Sequence, residues 1–113
     1  MTSLRIHRLG RRGIKNLFQR NKVVSSDTAH IRFAARPGQP FSRFAVVVSR
    51  QVARKSAERN RLRRRVSGWL KERLTESHGG FDAVLILGER APGLSRRSFY
   101  SALEELFKKT PLI

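Results

Sequence analysis

Apolar residues recur at helical spacing through the middle of the chain. Leu62, Val66, Trp69, Leu70 and Leu74 follow i, i+4, i+7, i+8, i+12 within the stretch Arg54 to Leu74. About 3.6 residues per turn confines them to one stripe, so the pattern predicts a helix over 54–74 that packs on a core. A second pattern, Phe99, Ala102, Leu103, Leu106 and Phe107, predicts a last helix with Ser95 as its N-cap. Ile14, Leu17 and Phe18 mark a short amphipathic helix over Arg12 to Arg20, with Gly13 near its start.

Between these helices the period changes to two. In Ala29 to Arg36, Ile31 and Phe33 alternate with His30 and Arg32, predicting a strand with one buried and one polar face. Ser42 to Ser49 is rich in valine and reads as a second strand. The intervening Pro37, Gly38 and Pro40 form a loop, so these two strands are expected to pair as an antiparallel hairpin. Phe81 to Leu87 is almost continuously apolar, as in a strand covered on both faces. Turn formers occupy Val23 to Thr28, His78-Gly79-Gly80 and Ala91-Pro92-Gly93. The order helix, strand, strand, helix, strand, helix implies an α+β fold, a small two-layer sandwich with about three helices on a mixed central sheet.

Charge then changes the picture. The 113 residues suit one domain over 1–113, and 25 Lys and Arg against 8 Asp and Glu give a formal net charge of +17. On the helix over 54–74, Arg54, Arg61 and Arg65 project opposite the apolar stripe, with Asn60, Arg64 and Lys71 beside them. Arg59 projects among the apolar positions and Arg63 near their edge, where long side chains snorkel outward. Only Glu58 and Glu72 offer partners within this helix, so its cationic ridge calls for an external polyanion. Residues 1–11 read as a basic, flexible arm that orders on nucleic acid. Arginine predominates over lysine, and its planar fork favours nucleic acid over a charged lipid surface. No apolar run approaches the roughly 18 residues of a membrane span, and the start lacks the apolar core of a secretory signal, so a cytoplasmic protein without a membrane partner is expected.

The segment Ser49 to Arg65, SRQVARKSAERNRLRRR, resembles the signature of the bacterial ribonuclease P protein component. In that family a strand ending in Ser and a basic residue leads into a helix carrying Arg-Asn-Arg, matched here by Arg59-Asn60-Arg61 and continued by Leu62-Arg63-Arg64. Ser67-Gly68 stands where the family usually has Arg-Glu, and Ile14 where it has the first of two aromatic residues four apart, Phe18 matching the second. The resemblance implies a subunit that joins a catalytic RNA and helps it remove the 5′ leader of precursor tRNA, with magnesium held mainly by the RNA. It implies catalytic-RNA contacts at Arg59, Asn60, Arg61, Arg63, Arg64 and Arg65. A cleft between the first helix and the sheet would receive the leader, with Phe18 as stacking face and Arg50 and Arg90 tracking its backbone. It implies no obligate protein partner. It also implies a left-handed crossover through the central helix, against the right-handed hand found in about 98% of such units.

The residues themselves suggest no independent chemistry. There is no cysteine, which excludes thiolate zinc sites, disulfides and cysteine nucleophiles. Glu72, Glu104 and Glu105 fall on predicted helix surfaces, and Asp82 and Glu89 flank one strand at opposite ends. His7, His30 and His78 are far apart, and His30 is placed to touch RNA from its strand. No carboxylate or imidazole constellation of a nuclease emerges, so catalytic and metal-ligating residues are expected to be absent. The alternative within reach of the composition is a structural, ribosomal-protein-like RNA binder.

Overall fold

The computed structural model describes residues 7–19, 21–36, 38, 42–73 and 80–112. Its elements in chain order are β1 (His7–Arg8), α1 (Arg11–Gln19), β2 (Lys22–Ser25), β3 (Ala29–Ala35), β4 (Arg43–Val47), α2 (Ser56–Arg73), β5 (Phe81–Leu87) and α3 (Arg96–Lys108), with a short 3-10 turn at Ala91–Gly93. Three helices on a mixed sheet give the α+β class that the periodicity implied. The expected helix ends at Arg20 and Leu74, residue 74 of the apolar stripe, the proline positions 37 and 40 of the loop, and the His78-Gly79 stop lie outside the described residues.

The sheet order is β1-β4-β5-β3-β2. β5 pairs antiparallel with β3 on one side and parallel with β4 on the other. The expected hairpin between the strands now labelled β3 and β4 is therefore wrong, because β5 lies between them. The physical reason is burial: Ala83, Leu85 and Leu87 are buried on one face of β5 and Val84 on the other, so the most apolar strand takes the centre. The hairpin partner of β3 is β2, which the turn-forming composition of residues 23–28 had hidden. Ser26 makes the turn between them, its Oγ accepting from the Thr28 and Ala29 amides at 3.3 Å each.

The reading of residues 1–11 as an arm is corrected where they are described. His7 and Arg8 pair in parallel with Arg43 and Phe44 of β4, and the Leu9 amide donates to the Phe44 carbonyl at 2.9 Å. Leu9 is buried against Leu17 and Val84, and a Cβ at Gly13 would collide with its side chain, so glycine lets α1 close over it. A single anchoring leucine has no periodicity, which is why the pattern missed it.

The main core lies on one face, where Leu62, Val66, Trp69 and Leu70 of α2 and Phe99, Leu103, Leu106 and Phe107 of α3 meet Ile31, Phe33, Phe44 and Leu85. The Trp69 and Phe107 rings are tilted at 60° with centroids 5.0 Å apart. Ser95 caps α3, its Oγ accepting from the Ser98 amide at 3.2 Å, as expected. A smaller core covers the other face, where Leu9, Ile14 and Leu17 pack on Ala34, Ala45, Val84 and Ile86. The sandwich is thus two-layered only beyond the reach of α1, and three-layered beneath it. At that border Arg43 grips Asp82 through two hydrogen bonds of 2.8 Å, and Arg36 approaches the same carboxylate at 3.4 Å.

Candidate nucleic-acid interface

The residues singled out by sequence fall on two surfaces on opposite sides of the sheet. One is the outer side of α2, whose inner side fills the main core. There Asn60, Arg61 and Arg64 are exposed, while Arg59, Arg63 and Arg65 are half-buried. The arginines are not equivalent. Arg64 has no hydrogen-bond or ion-pair partner among the described residues, and Arg61 has only a distant Glu58 oxygen at 3.9 Å. The Arg65 guanidinium lies over the Phe99 ring, 5.6 Å from its centroid, at the seam with α3. Arg63 donates to Asn60 Oδ1 at 2.7 Å, which leaves the Asn60 amide NH2 to face outward. Arg59, which projected among apolar positions, folds back on the chain entering the helix and donates to the Ala53 and Arg54 carbonyls.

The second surface is the α1 face of the sheet. Paired residues of neighbouring strands share a face, so the registers His30–Ile86–Val47 and Val23–Arg32–Val84–Ala45 each form a row across it. Among the described residues, the exposed large apolar side chains, Phe18 at 46%, Val23 at 46% and Val47 at 37%, all belong to this side. Phe18 stands on α1 with the Arg32 guanidinium 4.9 Å from its ring centroid. Arg32 also donates to Asn21 Oδ1 at 3.3 Å, Asn21 in turn donating to the Leu17 carbonyl at the end of α1. The Arg32 Nε is buried and has no hydrogen-bond partner among the described residues. Arg32 is the residue that sequence reasoning missed: its alternation marked it as polar, but nothing in the pattern placed it over Phe18. Burial, and then the neighbouring Arg32 charge, hold His30 below its ordinary value of 6.5.

Arg50 and Arg90 follow the C-terminal ends of β4 and β5, which are parallel, so both lie at the same end of the sheet as the His30–Ile86–Val47 row. Both are exposed, and Arg90 meets Asp27 of the β2–β3 turn at 3.2 Å. The surface is therefore an apolar strip with cations at one end and an aromatic ring on its wall. Stacking on a ring combined with a cationic track is how single-stranded nucleic acid is held without regard to sequence.

A groove of about 750 Å³ follows the edge of β4 between these two surfaces, lined by Val46, Val48 and Leu70 with Arg8, Arg63 and Lys71 at its lip. Ser67 lines it too, at the position where the resembling family carries arginine. Among the described residues no group of three or more His, Asp or Glu could hold a metal ion, and no helix is long and apolar enough to cross a membrane.

Comparison with known proteins settles the family. The model of the family described as Ribonuclease P matches residues 5–111. The chain belongs to the ribonuclease P protein family. Two cyanobacterial relatives, both named Ribonuclease P protein component, share 33% identity over 72 residues (Synechocystis) and 37% over 76 residues (Synechococcus elongatus). Each match takes in 64% of this chain, and it spans 58% and 60% of the relatives' own length. Among solved structures, the RNase P protein from Staphylococcus aureus superposes with a TM-score of 0.85 at 14% identity, covering 96% of this chain and 98% of that one. The RNase P protein from Thermotoga maritima gives 0.79 at 24% identity, covering 94% and 97%. These superpositions establish the ribonuclease P protein fold for nearly the whole chain.

Proposed function

We propose that this chain is the protein subunit of a ribonuclease P particle. It binds the catalytic RNA through the arginine ridge of α2 and the 5′ leader of precursor tRNA through the cleft between α1 and the sheet. Leader removal, an endonucleolytic hydrolysis, is then carried out by the RNA in the cytoplasm, with magnesium held mainly by that RNA. The observation that carries the reading is the pairing of two unlike surfaces on one small fold. A ridge presenting Arg61, Arg64 and Arg65 with one weakly engaged carboxylate suits the closely spaced phosphates of a folded RNA. A half-apolar strip with Phe18, Arg32, Arg50 and Arg90 suits an extended single strand. Neutralising phosphates on both sides lets two RNAs approach each other through the protein.

The test is cleavage of a precursor tRNA by the matching catalytic RNA at low magnesium, with and without the protein, on substrates with long and truncated leaders. Stimulation that requires the leader is the expected result. Binding of the catalytic RNA without stimulation of either substrate would instead make the chain a structural RNA binder. Cutting by the protein alone would place an active site within it.

A further inference from the structure

We propose that Arg59, the first arginine of the Arg-Asn-Arg triplet, is a positioning residue and not a phosphate contact. It locks the loop between β4 and α2 onto the first turn of the helix. The proposal deepens the reading of α2 as the catalytic-RNA surface and rests on it.

Three observations carry it. The Arg59 Nη1 donates to the Ala53 carbonyl at 3.0 Å and to the Arg54 carbonyl at 2.7 Å, so one guanidinium nitrogen bridges two consecutive peptide units. Arg59 is half-buried, whereas Asn60 and Arg61 beside it are exposed. Its place in the helix also explains the geometry: it projects among core positions, but so close to the start of α2 that it reaches the loop instead of the sheet. Ala53, one of its acceptors, is itself buried in the main core, so the guanidinium ties the helix to a fixed point. The same loop is closed at its other end by the Val52 and Ala53 amides, which both donate to the Ser49 carbonyl at 3.1 Å.

A cation at the first turn of a helix sits against the positive end of the helix dipole, and Glu58 is the acidic residue in that turn. Carbonyl acceptors supply the compensation that a solvated arginine would lack there. Arginine suits the site because the two hydrogens of Nη1 are held in the guanidinium plane at a fixed angle, one to each carbonyl, while an ammonium is a point donor whose hydrogens rotate freely on a flexible stem. Functionally, the lock holds the loop residue Arg54 at a fixed place relative to Arg61, Arg64 and Arg65 on the helix.

The experiment measures affinity for the catalytic RNA across monovalent salt, together with thermal unfolding of the full chain without RNA. It compares wild type, Arg59→Ala, Arg59→Lys and Arg61→Ala below their unfolding midpoints. Removing a true phosphate contact flattens the log affinity against log salt slope by about 0.7–0.9. Arg61→Ala is expected to do this with its unfolding midpoint unchanged. Arg59→Ala is expected to lower the midpoint and to weaken binding by the same factor at every salt concentration, giving a line parallel to wild type. Arg59→Lys recovers part of both losses, and keeps the comparison open if the alanine variant does not fold. A flattened slope for either Arg59 variant overturns the proposal by making Arg59 a phosphate contact. A line that coincides with wild type overturns it by making the lock irrelevant to RNA binding. If Arg61→Ala also leaves the slope unchanged, the ridge reading itself fails, while a lowered midpoint for Arg59→Ala still establishes the lock within the protein.

Discussion

At the scale of single residues, identical side chains in one short segment do different things because their surroundings differ. Arg64 is free among the described residues, Arg65 is steadied by Phe99, and Arg63 orients Asn60. His30 shows the same dependence on place. Its burial and the Arg32 charge favour the neutral imidazole, so the folded chain takes up its proton at lower pH than the unfolded chain. Stability is therefore expected to fall as pH drops below 6.5 and through the lowered folded value, and His30→Gln should flatten that part of the profile in denaturant titrations. An anionic strand in the cleft reverses the bias. NMR titration of His30 should show its pKa rising when a single-stranded leader oligonucleotide is added, and an unmoved value would place the leader elsewhere.

At the scale of elements, α2 is a compromise between a core helix and a binding surface. Its stripe of Leu62, Val66, Trp69 and Leu70 is buried as its spacing demands, and the remaining circumference is given over to charge. Gly68 weakens it, since glycine within a helix costs about 1 kcal/mol relative to alanine. A Cβ at Gly68 would meet no atom within 4 Å, and the residue is exposed, so close packing does not require the glycine. Gly68→Ala is expected to stabilise the protein by about 0.5–1 kcal/mol in urea unfolding. A destabilisation would reveal a backbone requirement that the open space does not suggest. The tie between Arg73 at the end of α2 and Glu104 of α3 joins the two helices on the sheet's main face.

At the scale of the whole molecule, a net charge of +17 on 113 residues sets the condition for stability. Of the eight carboxylates, three are held by arginines among the described residues, Asp82 by Arg43 and Arg36, Glu104 by Arg73 and Asp27 by Arg90, and Glu58 meets Arg61 only at 3.9 Å. The uncompensated arginines on the α2 ridge repel one another, and anions that bind the folded form alone offset this by mass action. Sulfate at millimolar concentration is expected to raise the unfolding midpoint and the helical circular dichroism, more than chloride does at equal ionic strength. Equal effects of the two salts would mean that simple screening suffices.

The sequence by itself determined which segments are helices, that β5 is doubly buried, and that the charge is gathered on α2, because those properties follow from local periodicity and composition. It also carried the family, through the run from Ser49 to Arg65. Sheet order was not legible: Lys22–Ser25 is a short, mostly exposed edge strand whose one serine, followed by Ser26 and Asp27, signals only a turn, and the insertion of β5 between β3 and β4 depends on which strand buries most area, a competition among distant segments. The anchoring of Leu9 depends likewise on the space that Gly13 leaves for it. The individual roles of Arg59, Arg32 and Arg63 were decided only by the tertiary structure. An arginine's side chain is long enough to reach a carbonyl, a ring or solvent, and the partner it takes is whichever the fold brings within reach.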